Sequence, residues 1–181
     1  VLALRWAGHD VSDEITAMFG VARATDFAGF RGALDGFHLP GQNMIYADAA
    51  GHVGQVMAVR LPRRNGVPGD IAVPPQQAAD WTDGLTASRL PFVLDPPDGF
   101  VASANNRPAP APVTVGWYFS PDDRIRRLRE LLGGGGPVTR DHLMALQRDV
   151  RVASAIALRD ALAGRIGALP QDALSGPARR T

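Results

Sequence analysis

The sequence predicts a mixed α+β fold, in which antiparallel strands pack with helices. Apolar residues recur in Met44–Ala47 and in His52–Val59, and the short Asp- and Gly-containing stretch between these runs is typical of a hairpin turn. Phe27, Phe30 and Leu34 have the i, i+3, i+7 spacing that places apolar side chains on one face of a helix. A hairpin beside amphipathic helices is the pattern of an α+β domain.

The elements before the hairpin follow from local signals. Val1–Trp6 alternates enough to predict a strand. A capping hydroxyl at Ser12, followed by two carboxylates, predicts a short helix that continues through Phe19. A second helix is expected to begin at Asp26 and to end at Gly36.

After the hairpin, Leu61–Pro75 is rich in arginine, glycine and proline, so it predicts a long surface loop. Gly99–Ala104 predicts a buried strand, which must stop at Asn105–Pro108 because proline lacks the donor that a central ladder needs. A polar cluster is therefore expected at a strand end. Amides there are typical of turns, and an amide in this place can also direct its N–H₂ at a developing negative charge, as an oxyanion-hole donor does.

The last part of the chain predicts helices. Ser120 is a capping hydroxyl before a proline and two carboxylates, and Gly133–Gly136 ends the helix that follows. Thr139 is expected to cap the next helix, and Val152–Leu169 is rich in alanine and leucine. Residues 170–181 are expected to form a frayed tail.

Composition excludes several classes of function. The 19 basic residues nearly balance the 18 acidic ones, so no overall field attracts nucleic acid or an anionic membrane. Without cysteine there is no disulfide, thiolate zinc site or cysteine nucleophile. No apolar run reaches the roughly 18 residues of a membrane span. The chain begins without methionine, in an apolar stretch that lacks a signal-peptide pattern, so we expect a piece excised from a longer protein.

A self-contained catalytic or metal motif is not evident. The sequence has no Gly-x-Ser-x-Gly, and its four histidines, His9, His38, His52 and His142, show no paired spacing. Each histidine is therefore expected on the surface or in a turn. The aspartates are scattered, and we expect them to serve turns and caps.

Several short motifs occur together and in a fixed order: Gly41-Gln42-Asn43, Tyr46-Ala47-Asp48, Gly51-His52-Val53-Gly54, Leu90–Pro96, Phe100–Arg107 and Arg124–Leu132. In order and spacing they resemble the penicillin acylase family of N-terminal nucleophile hydrolases, over about residues 1–165. The resemblance implies that residues 1–169 are a fragment of the catalytic domain, within an αββα sandwich.

The resemblance also implies a mechanism, in which a chain-initial serine attacks an amide and its own α-amine is the base. Val1 has no nucleophilic atom, so the serine would lie upstream. The oxyanion-hole asparagine matches Asn105, or Asn106 if the register is off by one. The active-site arginine matches Arg124, with Arg127 as its neighbour and a solvated surface arginine as the alternative reading.

Some positions depart from the family pattern. His52 and Asp95 each stand where asparagine is usual, and Gln55 stands where an aromatic residue is usual. Family members often bind calcium, but no aspartate lies between Asn105 and Pro121 where a ligand is expected, so no metal or other cofactor is predicted. The resemblance implies a periplasmic or secreted protein, although the sequence itself leaves the compartment open.

The predicted function is therefore a share in an amidohydrolase that cleaves a linear amide, such as the acyl side chain of a β-lactam or an acyl-homoserine lactone. The implied partners are the remainder of the same precursor and a small amide substrate. The alternatives are a catalytically silent binding or structural module of the same fold, and an unrelated α+β domain.

Overall fold

The computed structural model describes residues 1–64, 69, 71–77, 81, 83–112 and 114–169. By its internal contacts the chain divides into two compact units, Val1–Ser120 and Pro121–Thr181, which are described separately below. The predicted frayed tail, residues 170–181, lies outside the described residues.

The first unit contains helices, a hairpin sheet and a small second sheet. Its elements are α1 (Glu14–Arg23), α2 (Phe27–Ala33), β1 (Gln42–Ala47), β2 (Val53–Ala58), β3 (Leu61–Pro62), β4 (Gly84–Leu85) and β5 (Phe92–Leu94). Among the described residues, β1, β2 and β5 form an antiparallel sheet in that order, and β3 pairs with β4. The predicted hairpin is thereby confirmed, with Ile45 opposite Gln55 in its register.

The two faces of the hairpin pack against different partners, because successive strand residues point to opposite faces. Tyr46 and Val56 belong to a buried cluster with Phe30 and Leu34 from the helical segment. The Phe30 and Tyr46 ring centroids lie 5.2 Å apart. Met57 points to the other face and joins a second buried cluster. Phe30 and Leu34 come from the apolar helix face that the sequence predicts, so that face packs into the first of these clusters, the first core.

Carboxylate caps set the starts of α1 and α2. Asp26 accepts a hydrogen bond from the Gly29 N–H at 2.7 Å, which confirms that the second helix begins at Asp26 as predicted. For α1 the cap is Asp13, which accepts from the Thr16 N–H at 2.9 Å, and not Ser12, as the sequence had suggested. The helix also continues to Arg23, four residues beyond the predicted end.

Two predicted strands are wrong. Val1–Trp6 has no regular structure, and neither has Gly99–Ala104, although Ala104 is buried. A β-prone run becomes a strand only when a neighbour completes its ladder. In the described part of the chain, β1, β2 and β5 make up that sheet without either run.

The second unit is helical, with α3 (Asp123–Leu132), α4 (Arg140–Gln147) and α5 (Ala153–Gly167). Thr139 accepts a hydrogen bond from the His142 N–H at 3.2 Å, so the predicted cap of α4 is confirmed. The first helix begins two residues later than the predicted Pro121. None of the helices in the described ranges is long and apolar enough to cross a membrane.

Candidate functional site

The first unit has an open groove of about 630 Å³ on the hairpin face that carries Met57. One wall is made by β1 and β2, through Asn43 and Met57, and another by Asn105 and Asn106. Residues 115–120 contribute further side chains, including Phe119. The groove therefore brings the predicted oxyanion-hole asparagine next to the hairpin.

Asn105 is an exposed residue of this groove and lies in the left-handed region of the backbone, with φ of 58°. Asparagine is among the residues that tolerate this conformation. Its carbonyl oxygen accepts a hydrogen bond from the Ser120 N–H at 3.1 Å. The left-handed residue ends any extended run at this point and joins the turn to the segment leading to Ser120.

The neighbouring amide, Asn106, is held by its own loop. Its Oδ1 accepts a hydrogen bond from the Ala104 N–H at 3.2 Å, and its Nδ2 donates to the Arg107 carbonyl at 3.0 Å. Both the oxygen and the nitrogen of this carboxamide therefore form hydrogen bonds with backbone groups of the loop. Of the two amides in the motif, Asn105 is the exposed one, whereas Asn106 is half-buried.

Arg107 braces the same loop. Its guanidinium donates to the Trp117 carbonyl at 3.3 Å and lies 4.9 Å from the centroid of the Phe119 ring. A cation over an aromatic face is attracted by the ring quadrupole. The arginine thus ties the asparagine loop to the segment that forms another wall of the groove.

Sequence reasoning gave no role to a polar chain that joins the hairpin to this loop. Asn43 donates from Nδ2 to Ser103 Oγ at 2.9 Å, and Gln55 Nε2 donates to Asn43 Oδ1 at 3.3 Å. Asn43 and Gln55 lie on one face of the hairpin, because Asn43 pairs with Met57, two residues beyond Gln55. The strand alternation could have placed these two amides together, but it could not have identified Ser103 as their partner.

The predicted arginine, Arg124, lies exposed in the first turn of α3. Its neighbour Arg127 is engaged by carboxylates: Nη2 lies 2.7 Å from Asp149 Oδ2, and Nη1 lies 2.9 Å from Glu130 Oε2. The hydrogen bonds that Arg127 donates to Asp149, and secondly to Glu130, raise the pKa of Arg127. The ion pairs give Arg127 a structural role. Asn105 belongs to the first unit and Arg124 to the second.

Two of the departures from the family pattern, His52 and Asp95, contact each other. His52 Nδ1 lies 2.7 Å from Asp95 Oδ2, and the other carboxylate oxygen accepts from the Val53 N–H at 3.0 Å. Asp48 holds the adjacent turn by accepting from the Ala50 and His52 N–H groups. These aspartates do the turn work expected of them, and the pair joins the start of β2 to the end of β5.

The His52–Asp95 pair predicts a pH-dependent stability. The hydrogen bond to Asp95 raises the pKa of His52, while the same bond lowers the pKa of Asp95. The histidine contribution is therefore complete below its unfolded pKa of about 6.5 and is lost as pH rises through the higher folded value. The aspartate contribution is lost only in acid, as pH falls through the lowered folded value. We expect His52→Ala to lower the unfolding midpoint more at pH 5.5 than at pH 9.

The size of this effect is limited by exposure, since the two side chains are 54% and 46% accessible. Thermal unfolding of the wild type and of His52→Ala at both pH values measures it. An equal difference at the two pH values would contradict the assignment.

No group of three or more His, Asp or Glu side chains that could hold a metal ion occurs in the ranges that the structure describes. The sequence-based expectation of no metal remains a prediction.

The fold is that of an N-terminal nucleophile hydrolase of the penicillin acylase type. A solved structure of a thermostable penicillin G acylase from Alcaligenes faecalis matches with a TM-score of 0.63 and 23% sequence identity. The match covers 88% of this chain and 30% of that chain. The likeness establishes the mixed arrangement of helices and antiparallel strands that the sequence predicts.

The chain belongs to the penicillin amidase family, whose sequence profile matches residues 1–180. The penicillin acylase 2 proenzyme of Pseudomonas sp. (strain SE83) is 32% identical over 107 residues, or 58% of this chain. The acyl-homoserine lactone acylase QuiP of Pseudomonas putida (strain ATCC 47054) is 34% identical over 113 residues, or 59% of this chain. Each match spans only 13% of the relative's length.

Proposed function

We propose that this chain is part of an amidohydrolase that cleaves a linear amide, and that it supplies groups to the site without supplying the nucleophile. The amide would be the acyl side chain of a β-lactam or an acyl-homoserine lactone, in keeping with the names of the two relatives. The observation that carries the proposal is the groove at which Asn105 is exposed while Asn106 is held by its own loop.

The chemistry assigned to Asn105 follows from the charge that develops during amide cleavage. A serine oxygen attacks the carbonyl carbon, and the carbonyl oxygen becomes an oxyanion in the tetrahedral intermediate. The Asn105 N–H₂ would donate a hydrogen bond to that oxygen. A single such donor typically contributes about 3 kcal/mol to the transition state. Apolar groove residues, including Met57, Val59 and Val115, suit an apolar group next to the amide.

The remaining parts of the site would come from the rest of the same precursor. One relative is named as a proenzyme, and this chain spans a small share of its length. The attacking serine is proposed to lie upstream, at an N-terminus that precursor cleavage exposes. The small amide substrate is the second proposed partner.

Arg124 is proposed to hold a polar group of the substrate or of the site. A cation in the first turn of a helix opposes the helix dipole, so the dipole does not favour an arginine there. We expect Arg124→Ala to lower kcat/KM of the full-length enzyme by about tenfold, the loss of one charge-assisted hydrogen bond. Arg126→Ala is the matched control, because Arg126 is an exposed arginine of the same helix that pairs with Asp122 at 3.6 Å. Equal losses in the two variants would contradict the role of Arg124.

The function is tested with the full-length precursor and a panel of acyl amides that includes β-lactams and acyl-homoserine lactones. We expect self-cleavage before a Ser, Thr or Cys upstream of Val1, followed by amide hydrolysis. A precursor without such a residue, or one that is processed but hydrolyses none of the panel, would instead identify a silent module of this fold.

A further inference from the structure

Asn43 lies at the junction between the hairpin sheet and the loop that carries Asn105. Its Nδ2 donates to Ser103 Oγ at 2.9 Å, two residues before Asn105, and its Oδ1 accepts from Gln55 Nε2 at 3.3 Å. Because Gln55 donates to Asn43 Oδ1, the amide oxygen faces β2 and the N–H₂ end donates to Ser103. The polar chain therefore has a defined direction, from β2 through β1 to the loop.

The end of the polar chain that lies in the sheet is held in place by the ladder between β1 and β2. Asn43 and Gln55 belong to strands whose ladder runs from Gln42 opposite Ala58 to Ala47 opposite Val53. The other face of the same hairpin packs on the first core, where Leu34 and Val56 are fully buried. A bond from this sheet can therefore fix a loop that has no ladder of its own.

The other end of the polar chain lies in the turn that contains Asn105, and this turn has no strand ladder to hold it. Asn105 is left-handed, and residues 101–108 have no regular secondary structure. The turn bonds to the segment before Ser120 through the Asn105 carbonyl and through Arg107. The Asn43 bond attaches the same loop to β1, so the turn is held by two separate segments of the unit.

We propose that Asn43 is a positioning residue, which acts through Ser103 to hold the Asn105 carboxamide at the groove. This inference rests on the proposed function, because it assigns Asn43 a task only if Asn105 stabilises the oxyanion. A donor must lie at about 2.7–3.1 Å from the developing charge, and small misplacements of reacting groups are costly. Asn43 itself is not expected to touch the reacting atoms.

The test uses the full-length enzyme with single and combined substitutions. We expect Asn43→Ala and Ser103→Ala each to lower kcat by about tenfold with little change in KM, as for a 1 Å misplacement or less. The double variant should lose no more than either single one, because both changes remove the same hydrogen bond. Gln147→Ala, which truncates an exposed amide on α4, is the control and should leave kcat unchanged.

The deciding comparison is made in a background without the Asn105 carboxamide. If Asn43 acts through that group, Asn43→Ala should lower kcat in the wild type but cause no further loss in Asn105→Gly. The same loss in both backgrounds, or no loss in either, would overturn the inference while leaving the proposed function intact. Wild-type turnover by Asn105→Gly would instead overturn the proposed function, and this inference with it.

Hydrogen exchange supplies a readout that does not depend on activity. The Ala104 N–H bonds to Asn106 and the Ser120 N–H bonds to Asn105, so both amides report on the turn. We expect Asn43→Ala to speed exchange at these two amides by about tenfold, since opening the turn would become easier. Unchanged exchange would show that Asn43 does not hold the turn.

Discussion

Replacing Asn105 by glycine should lower the rate of amide hydrolysis by about 10²–10³-fold in the full-length enzyme, the usual cost of one lost oxyanion donor. Glycine is the informative replacement because the residue has φ of 58°. Glycine adopts that conformation without steric cost, whereas alanine does not. The glycine variant therefore removes the carboxamide and keeps the backbone of the turn.

The loss should appear in the acylation step, which single-turnover kinetics separate from binding and product release. Asn105→Ala should show a similar loss of rate together with lower stability, since it adds backbone strain. Asn105→Asp keeps the shape but offers the oxyanion a carboxylate, so it should be at least as slow as the glycine variant. A glycine variant with the rate of the wild type would remove Asn105 from the site.

The sequence predicted those parts of the fold that are determined locally. The caps at Asp26 and Thr139 and the hairpin around Asp48 depend on residues a few positions apart, and the structure confirms them. The strands predicted at Val1–Trp6 and Gly99–Ala104 are wrong because a strand depends on a distant partner, which local sequence does not specify.

The candidate site likewise has one part that the sequence predicts and another that depends on contacts between distant residues. The resemblance selected Asn105, with Asn106 as the alternative if the register is off by one. The sequence could not show that Asn106 is held by its own loop, through hydrogen bonds with Ala104 and Arg107. A role for Ser103 is evident only from its hydrogen bond with Asn43, which lies 60 residues earlier in the chain. Such a contact is set by how the turn folds back onto the sheet, which no spacing rule predicts.

The structure gives one explanation for the departures at both His52 and Asp95. Taken singly, each is the loss of a usual asparagine. In the structure they form one pair between β2 and β5. The pair fastens the end of the sheet, so a role in its stability explains both positions together.

The sheet that supports the site should be sensitive to a single added methyl group at Gly54. A Cβ there would lie 2.7 Å from the Phe27 ring and 2.9 Å from the Val93 carbonyl oxygen. Phe27 has little room to move, because its ring packs against Tyr46 and Phe92 at centroid distances of 5.4 and 5.6 Å. The carbonyl belongs to the β5 backbone, so relief would require shifting a strand.

We therefore expect Gly54→Ala to destabilise the protein by about 1–3 kcal/mol, the usual cost of overpacking. The measurement is the unfolding midpoint of the full-length protein at one scan rate, since large proteins often unfold irreversibly. Gly32→Ala is the matched control, because Gly32 lies within α2 and a Cβ there meets nothing within 4 Å. It should be neutral or stabilising by up to about 1 kcal/mol, as alanine favours a helix over glycine. If the two substitutions shifted the midpoint equally, the close packing of Phe27 and β5 on Gly54 would be refuted.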